Sequence, residues 1–330
     1  MRIFRLGSIL VCTCLWLTSC EKKEIPVTLP GKGDAKIDRV DMGEDYEDQV
    51  FYDLEKGVVL ISKVNSWDLA FEASEKGYHV FMNGGKDIWI HNTGSTDIKS
   101  VLAPPNIKNK DWSFDSPSGL PDSTAIGEWA PNRISKNEVF IVKLNPAHFK
   151  DTFKKIQLVS YNADEYRMLY SDLRSTEIRS ITIPKNLNFN FSYFSFDGEG
   201  SVVHPEPTKH SWDIVFTRYR HIYYDLQNFP YIVTGVLSNP NRTRVAVDSI
   251  SGYDEIAIED VLSANFKTDR DAMGFLWKSY DIPAGLYTTK KNMVYMINNR
   301  NGQFWKLHFL DFYNSSGVKG SPTFKFERMQ

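Results

Sequence analysis

The sequence predicts an all-β protein built from two tandem antiparallel β-sheet modules. Three observations predict it. Short apolar or alternating runs recur between Gly, Asn, Asp and Pro; aromatic residues make up 14% of the chain; and four elements recur twice in the same order. Aromatic and β-branched side chains fit a pleated, half-buried surface, so this composition favours strands. Period-two alternation puts every second residue on one face. Val58-Val59-Leu60-Ile61, Val139-Phe140-Ile141-Val142, Tyr231-Ile232-Val233 and Val294-Tyr295-Met296-Ile297 are the clearest strand cores. Lys306-Leu307-His308-Phe309 alternates, with Leu307 and Phe309 on the buried side and His308 expected toward solvent. The best helical window is Tyr253 to Phe266, with Ile256, Ile258, Val261, Leu262 and Phe266 only partly in helical spacing.

The repeat is read from self-comparison. An aromatic strand and Gly turn, Phe51 to Val59, matches Phe194 to Val203. Asn65-Ser66-Trp67-Asp68-Leu69-Ala70-Phe71 matches His210-Ser211-Trp212-Asp213-Ile214-Val215-Phe216. The strand beginning Asn137-Glu138-Val139-Phe140-Ile141 matches the one beginning Asn292-Met293-Val294-Tyr295-Met296. A last strand, Phe153 to Leu158, matches Phe304 to Phe309. The expected modules are 39–180 and 181–330. Only two Trp-Asp pairs, 145 residues apart, exclude propeller blades. Core packing by indole and turn fixing by carboxylate is the first reading of Trp67, Asp68, Trp212 and Asp213; direct ligand contact is the second.

The N-terminus sets the location. Arg2 and Arg5 precede an apolar stretch, Ile9 to Leu17, that is too short to span a bilayer. It runs into Leu17-Thr18-Ser19-Cys20, which resembles the lipobox of bacterial lipoproteins. Residues 1–19 are then a lipoprotein signal peptide, Cys20 is the lipid attachment site, and the polar segment 20–38 is a tether. The expectation is an outer-membrane lipoprotein, with exposure at the cell surface as its extension, held to the membrane by the lipid anchor only.

Composition narrows the chemistry. The net charge of −2 becomes two charges more acidic once Arg2 and Arg5 leave with the leader, so nucleic acid is not an expected partner. Of three cysteines, Cys12 and Cys14 would be cleaved away and Cys20 acylated. That leaves no disulfide framework, thiolate metal site or cysteine nucleophile. His79, His91, His148, His204, His210, His221 and His308 show no metal-ligand spacing. There is no phosphate loop and no GxSxG elbow. No metal, no catalytic residues and no enzyme activity are expected.

The Trp-Asp strands, Gly77 to Asn83 behind the first of them, and the C-terminal run Gln303 to Tyr313 leading into Gly320 to Phe326 resemble the HmuY family of Bacteroidetes lipoproteins. With the lipobox, the resemblance is clearest over 190–330 and extends over 39–180. It implies modules of HmuY-like topology and a hemophore-like role in iron acquisition. Such a lipoprotein takes haem or porphyrin from a host haemoprotein and passes it to a TonB-dependent outer-membrane receptor. Family members hold iron between two axial His or two axial Met. The matching segment here, Phe275 to Tyr287, has no His; Tyr280 is nearest the family position and Met273 is close by. His221, among Tyr219, Tyr223 and Tyr224, is the next haem-binding candidate. The alternative is a non-haem carrier or adhesion lipoprotein of the same fold.

Overall fold

The computed structural model describes residues 35–105, 112–144 and 153–329. Cys20, the leader and His148 lie outside the described residues, as does most of the expected tether. The first run of strands is β1 (Lys36–Arg39), β2 (Asp48–Asp53), β3 (Gly57–Lys63), β4 (Leu69–Glu72), β5 (Val80–Met82), β6 (Trp89–Asn92), β7 (Val139–Lys143), β8 (Phe153–Tyr161) and β9 (Glu165–Asp172). The second begins β10 (Arg179–Pro184), β11 (Phe191–Ser195), β12 (Ser201–Val203), β13 (Ile214–Tyr223), β14 (Phe229–Ser238) and β15 (Arg244–Asp248). It continues through the helix α1 (Ile258–Ser263) and a hairpin of β16 (Lys278–Asp281) and β17 (Leu286–Thr289). It ends in β18 (Val294–Asn298), β19 (Phe304–Tyr313) and β20 (Lys319–Arg328). The all-β expectation holds. The helical window shortens to six residues, opened by the Asp260 carboxylate accepting the Ala257 N–H at 2.8 Å.

Every strand pair is antiparallel, and the sheets come in two matching sets. One five-stranded sheet has the order β10-β9-β8-β7-β6 and the other β1-β20-β19-β18-β15. The four-stranded sheets run β12-β11-β4-β5 and β3-β2-β13-β14. Replacing β1 to β9 by β10 to β15 and β18 to β20, in order, maps one set onto the other.

The cores do not divide at 180/181. The first core packs Leu69, Phe71, Phe140, Ile156, Tyr166 and Phe194, so it includes β11. The second packs Val50, Tyr52, Phe216, Trp277, Phe309 and Phe324, so it includes β2. The physical reason is edge pairing. β10 follows β9 closely and pairs with it, carrying β11 and β12 onto β4. β1, which starts inside the segment expected as tether, pairs with β20 as β10 pairs with β9, and brings β2 and β3 onto β13. One body is thus continuous from about Val64 to Val203. The other is assembled from both chain ends.

His308 departs from expectation. Its face of β19 is covered rather than solvated, because Tyr253 stacks on the imidazole at 4.3 Å in a third cluster with α1.

Candidate functional site

The Trp-Asp strands come first, because the repeat is built on them. Asp68 Oδ2 accepts the Phe196 N–H at 2.6 Å, and Asp213 Oδ2 accepts that of Leu54 at 3.0 Å. Asp68 faces Lys86 at 2.7 Å. Asp213 faces Arg300, which also reaches Asp53 at 2.6 Å. Burial pushes both carboxyl groups up, against the pull of these cations. Asn83 donates to Val64 O and Trp67 O, and Asn239 to Lys209 O and Trp212 O, closing the loop before each strand. Each of these four side chains closes a turn or loop. The two Trp side chains do not share one fate: Trp212 is buried against Phe51, while Trp67 is partly exposed against Tyr193.

The candidate site lies where β13 and β14 outrun their sheet. Both strands have ten residues, but β2 pairs only with Ile214–Phe216. The outer half is a two-stranded ribbon whose register sets His221 opposite Tyr231 and Tyr223 opposite Phe229. Its turn closes through Gln227 and Asn228, both with positive φ. The ribbon is clamped on one side by Arg220, which donates to Asp87 at 2.7 Å and to Ile88 O at 2.9 Å. On the other side Gly274 exchanges both backbone hydrogen bonds with Val236, at 2.9 and 3.0 Å. That bridge sets Phe275 against His221, rings 4.9 Å apart, with Tyr223 at 4.8 Å from the imidazole.

His221 is half-buried. Its Nδ1 is buried without a hydrogen-bond partner, and burial pulls its pKa below the usual value, with Asp225 acting weakly the other way. The imidazole is therefore neutral at pH 7.

Beside the ribbon stands the β16–β17 hairpin. Tyr280 and Tyr287 pair across it with rings 4.8 Å apart. It is tied to β14 by Lys278, whose Nζ donates to Thr234 O and sits over the rings of Trp277 and Phe312. Burial alone drives the Lys278 ammonium down to about 7. Together the two hairpins expose Tyr224, Leu226, Phe229, Tyr231, Leu276, Tyr280, Ile282 and Leu286. Eight large apolar side chains on and beside two adjoining hairpins make the candidate binding surface, since single scattered ones would need no explanation.

The predicted haem-binding residues separate. His221 is on this rim. Tyr280 is about half exposed on the neighbouring hairpin. Met273 is buried in the second core, so its thioether faces packing, not solvent. Phe275, at the head of the family-matched segment, is brought to His221 by the Gly274 bridge; Tyr231 was not legible as a site residue, because only the ribbon register brings it there.

A model of the HmuY protein family matches residues 45–126 and 230–326, together more than half of the chain. The chain belongs to the HmuY family. The second matched segment of this HmuY-family chain begins in β14 and contains Met273, Tyr280 and the whole β16–β17 hairpin. No curated protein matches. Among solved structures, the apo HmuY analog of Tannerella forsythia is 11% identical with a TM-score of 0.25, covering 90% of this chain and 96% of that one. A Bacteroides vulgatus protein described as HmuY-like and heme-binding is 17% identical with a TM-score of 0.22, covering 53% and 91%. A Bacteroides fragilis lipoprotein is 14% identical with a TM-score of 0.21, covering 52% and 92%.

Proposed function

We propose that this HmuY-family chain is a non-catalytic, lipid-anchored haem- or porphyrin-binding lipoprotein that hands its ligand to a TonB-dependent outer-membrane receptor. The observation that carries the reading is His221: a neutral imidazole between Tyr223 and Phe275, opening onto an apolar rim. An axial imidazole and flat apolar walls are what a metalloporphyrin needs from a protein. Bound haem would supply an iron centre for imidazole ligation. The chain's own part is to hold the imidazole neutral, wall it with Phe275 and Tyr223, and keep water from one macrocycle face. A lipid on Cys20, as the lipobox-like Leu17-Thr18-Ser19-Cys20 run implies, would keep the carrier beside its receptor.

The test is a ferric haem titration of the full chain against His221→Ala. The wild type should give a saturable Soret shift at about micromolar haem, which the variant loses by about tenfold or more in affinity. No saturable shift in the wild type would sink the haem reading and leave a non-haem carrier or adhesion lipoprotein of this fold.

A further inference from the structure

A cavity lies between the two four-stranded sheets, at the base of the ribbon. Its volume is about 110 Å³, and it opens to solvent at a mouth. Its walls are alike. From one sheet come Phe51 and Trp212, edge to face at 4.9 Å; from the other come Tyr193 and Trp67, edge to face at 5.0 Å. Phe81 and Phe191 extend the second wall. These are the sheet faces turned away from the two main cores.

Three arginines line this apolar space: Arg218, Arg220 and Arg270. Arg220 is matched by Asp87. Arg218 is held only by the neutral Asn65 amide oxygen at 3.0 Å, and its buried Nε has no acceptor. Arg270 donates to Ser238 O at 3.2 Å and lies 5.9 Å from the Phe191 ring. Among the described residues, neither Arg218 nor Arg270 has a carboxylate within ion-pair distance. Acids act on them only at longer range, Glu47 and Asp45 on Arg218 and Glu206 and Asp271 on Arg270. Asp115 in the lining accepts the N–H groups of Met82 and Ala125, and Glu206 accepts from Asn190 and Tyr193. The buried Arg220 Nε and Trp212 Nε1 are further donors without acceptors.

We propose that this cleft binds a small monocarboxylate with a flat apolar body, its carboxylate between Arg218 and Arg270 and its body between the Trp67 and Trp212 walls. Unused guanidinium donors in an apolar setting favour a carboxylate strongly, because charge-assisted bonds gain where water is excluded. A dianion is disfavoured by Asp115 in the lining. The inference does not depend on the haem reading, since it shares no ligating residue with the rim.

The probe is 2-naphthoate against its neutral amide, 2-naphthamide, titrated into the full chain by calorimetry. One naphthoate should bind per chain, with the amide weaker by about tenfold or more. Arg218→Gln and Arg270→Gln should each weaken naphthoate by a similar factor while leaving the Soret titration of haem unchanged. The acid-to-amide comparison uses wild type, so it stands even if a variant fails to fold. Equal affinity for acid and amide, no saturable binding of naphthoate, unchanged affinity in both folded variants, or stoichiometric displacement of naphthoate by haem would each overturn the assignment.

Discussion

Asp68 and Asp213 perform one task in two places, each using Oδ2 to accept the N–H two residues beyond its own backbone partner on a strand from the opposite half of the sequence. Asp68 N–H donates to Phe194 O and its carboxylate takes Phe196 N–H; Asp213 N–H donates to Tyr52 O and its carboxylate takes Leu54 N–H. The cations differ: Lys86 faces Asp68, and Arg300 faces both Asp213 and Asp53. Asp68→Asn and Asp213→Asn each take a buried charge away from a cation, and each should cost about 3–5 kcal/mol. Urea unfolding of both variants checks this; a loss below about 1 kcal/mol in either would refute it.

The same pair marks what was legible. Trp67, Asp68, Trp212 and Asp213 were found by self-comparison, and so was the recurrence of four elements in the same order along the chain. Which hairpin joins which Trp-Asp strand was not legible. Phe51 to Val59 and Phe194 to Val203 have the same alternation, so either fits either strand, and the choice falls to β10 filling the edge beside β9. Lys86, Arg300, Asn83 and Asn239 were invisible for a related reason: nothing local distinguishes a buried cation or a loop-closing amide from an exposed one. Met273 and Tyr280 were placed by family position. Packing then puts Met273 in the core, while the register of β13 with β14 gives His221 its aromatic neighbours.

Folding of fragments tests the division of the cores. A chain of residues 64–206 contains every strand of the first core, and Glu206 with its partners Asn190 and Tyr193. It should unfold cooperatively in urea, followed by near-UV circular dichroism. Residues 181–330 lack β1 to β3 and should show no such transition. Cooperative unfolding of the second fragment alone would contradict the discontinuous body.

Glu206 makes stability depend on pH. Burial raises its carboxyl to about 7 from 4.5, although the Asn190 and Tyr193 hydrogen bonds pull it down. Between those values the folded chain keeps a proton that the unfolded chain releases. Stability from this group is therefore full below about pH 4.5 and falls as pH rises to about 7, by up to about 3 kcal/mol. Glu206→Gln should remove that slope, because the amide mimics the protonated acid and Tyr193 can accept from it. Parallel melting curves at pH 5 and pH 7.5 decide the matter; an unchanged slope in the variant would assign the dependence to other groups.

Gly235 is where two backbones touch. A Cβ there would lie 2.5 Å from Gly274 O, a backbone atom that cannot swing aside. Gly235→Ala should push residues 273–275 off β14 and cost about 1–3 kcal/mol. Because Phe275 rides on this segment, haem affinity should fall in the same variant. A variant as stable as wild type, with unaltered haem binding, would show that the bridge does not position the rim.

The rim variants separate the three haem-binding candidates from one another. Phe275→Ala removes the ring lying 4.9 Å from His221 and should weaken haem by about tenfold while keeping the ligand field of the bound form. Tyr280→Phe keeps the ring packed against Tyr287 and loses only an exposed hydroxyl, so affinity and spectrum should stay as in wild type. Met273→Leu preserves volume inside the core, should cost less than about 1.5 kcal/mol, and should leave the Soret band alone. Resonance Raman on ferric and ferrous forms reads the ligand directly. Loss of a charge-transfer band in Tyr280→Phe would make the phenolate the ligand, and a change confined to the ferrous state of Met273→Leu would make it the thioether. Either result moves the site off His221, because a buried Met273 can reach a macrocycle only if the segment carrying Gly274 and Phe275 first leaves β14.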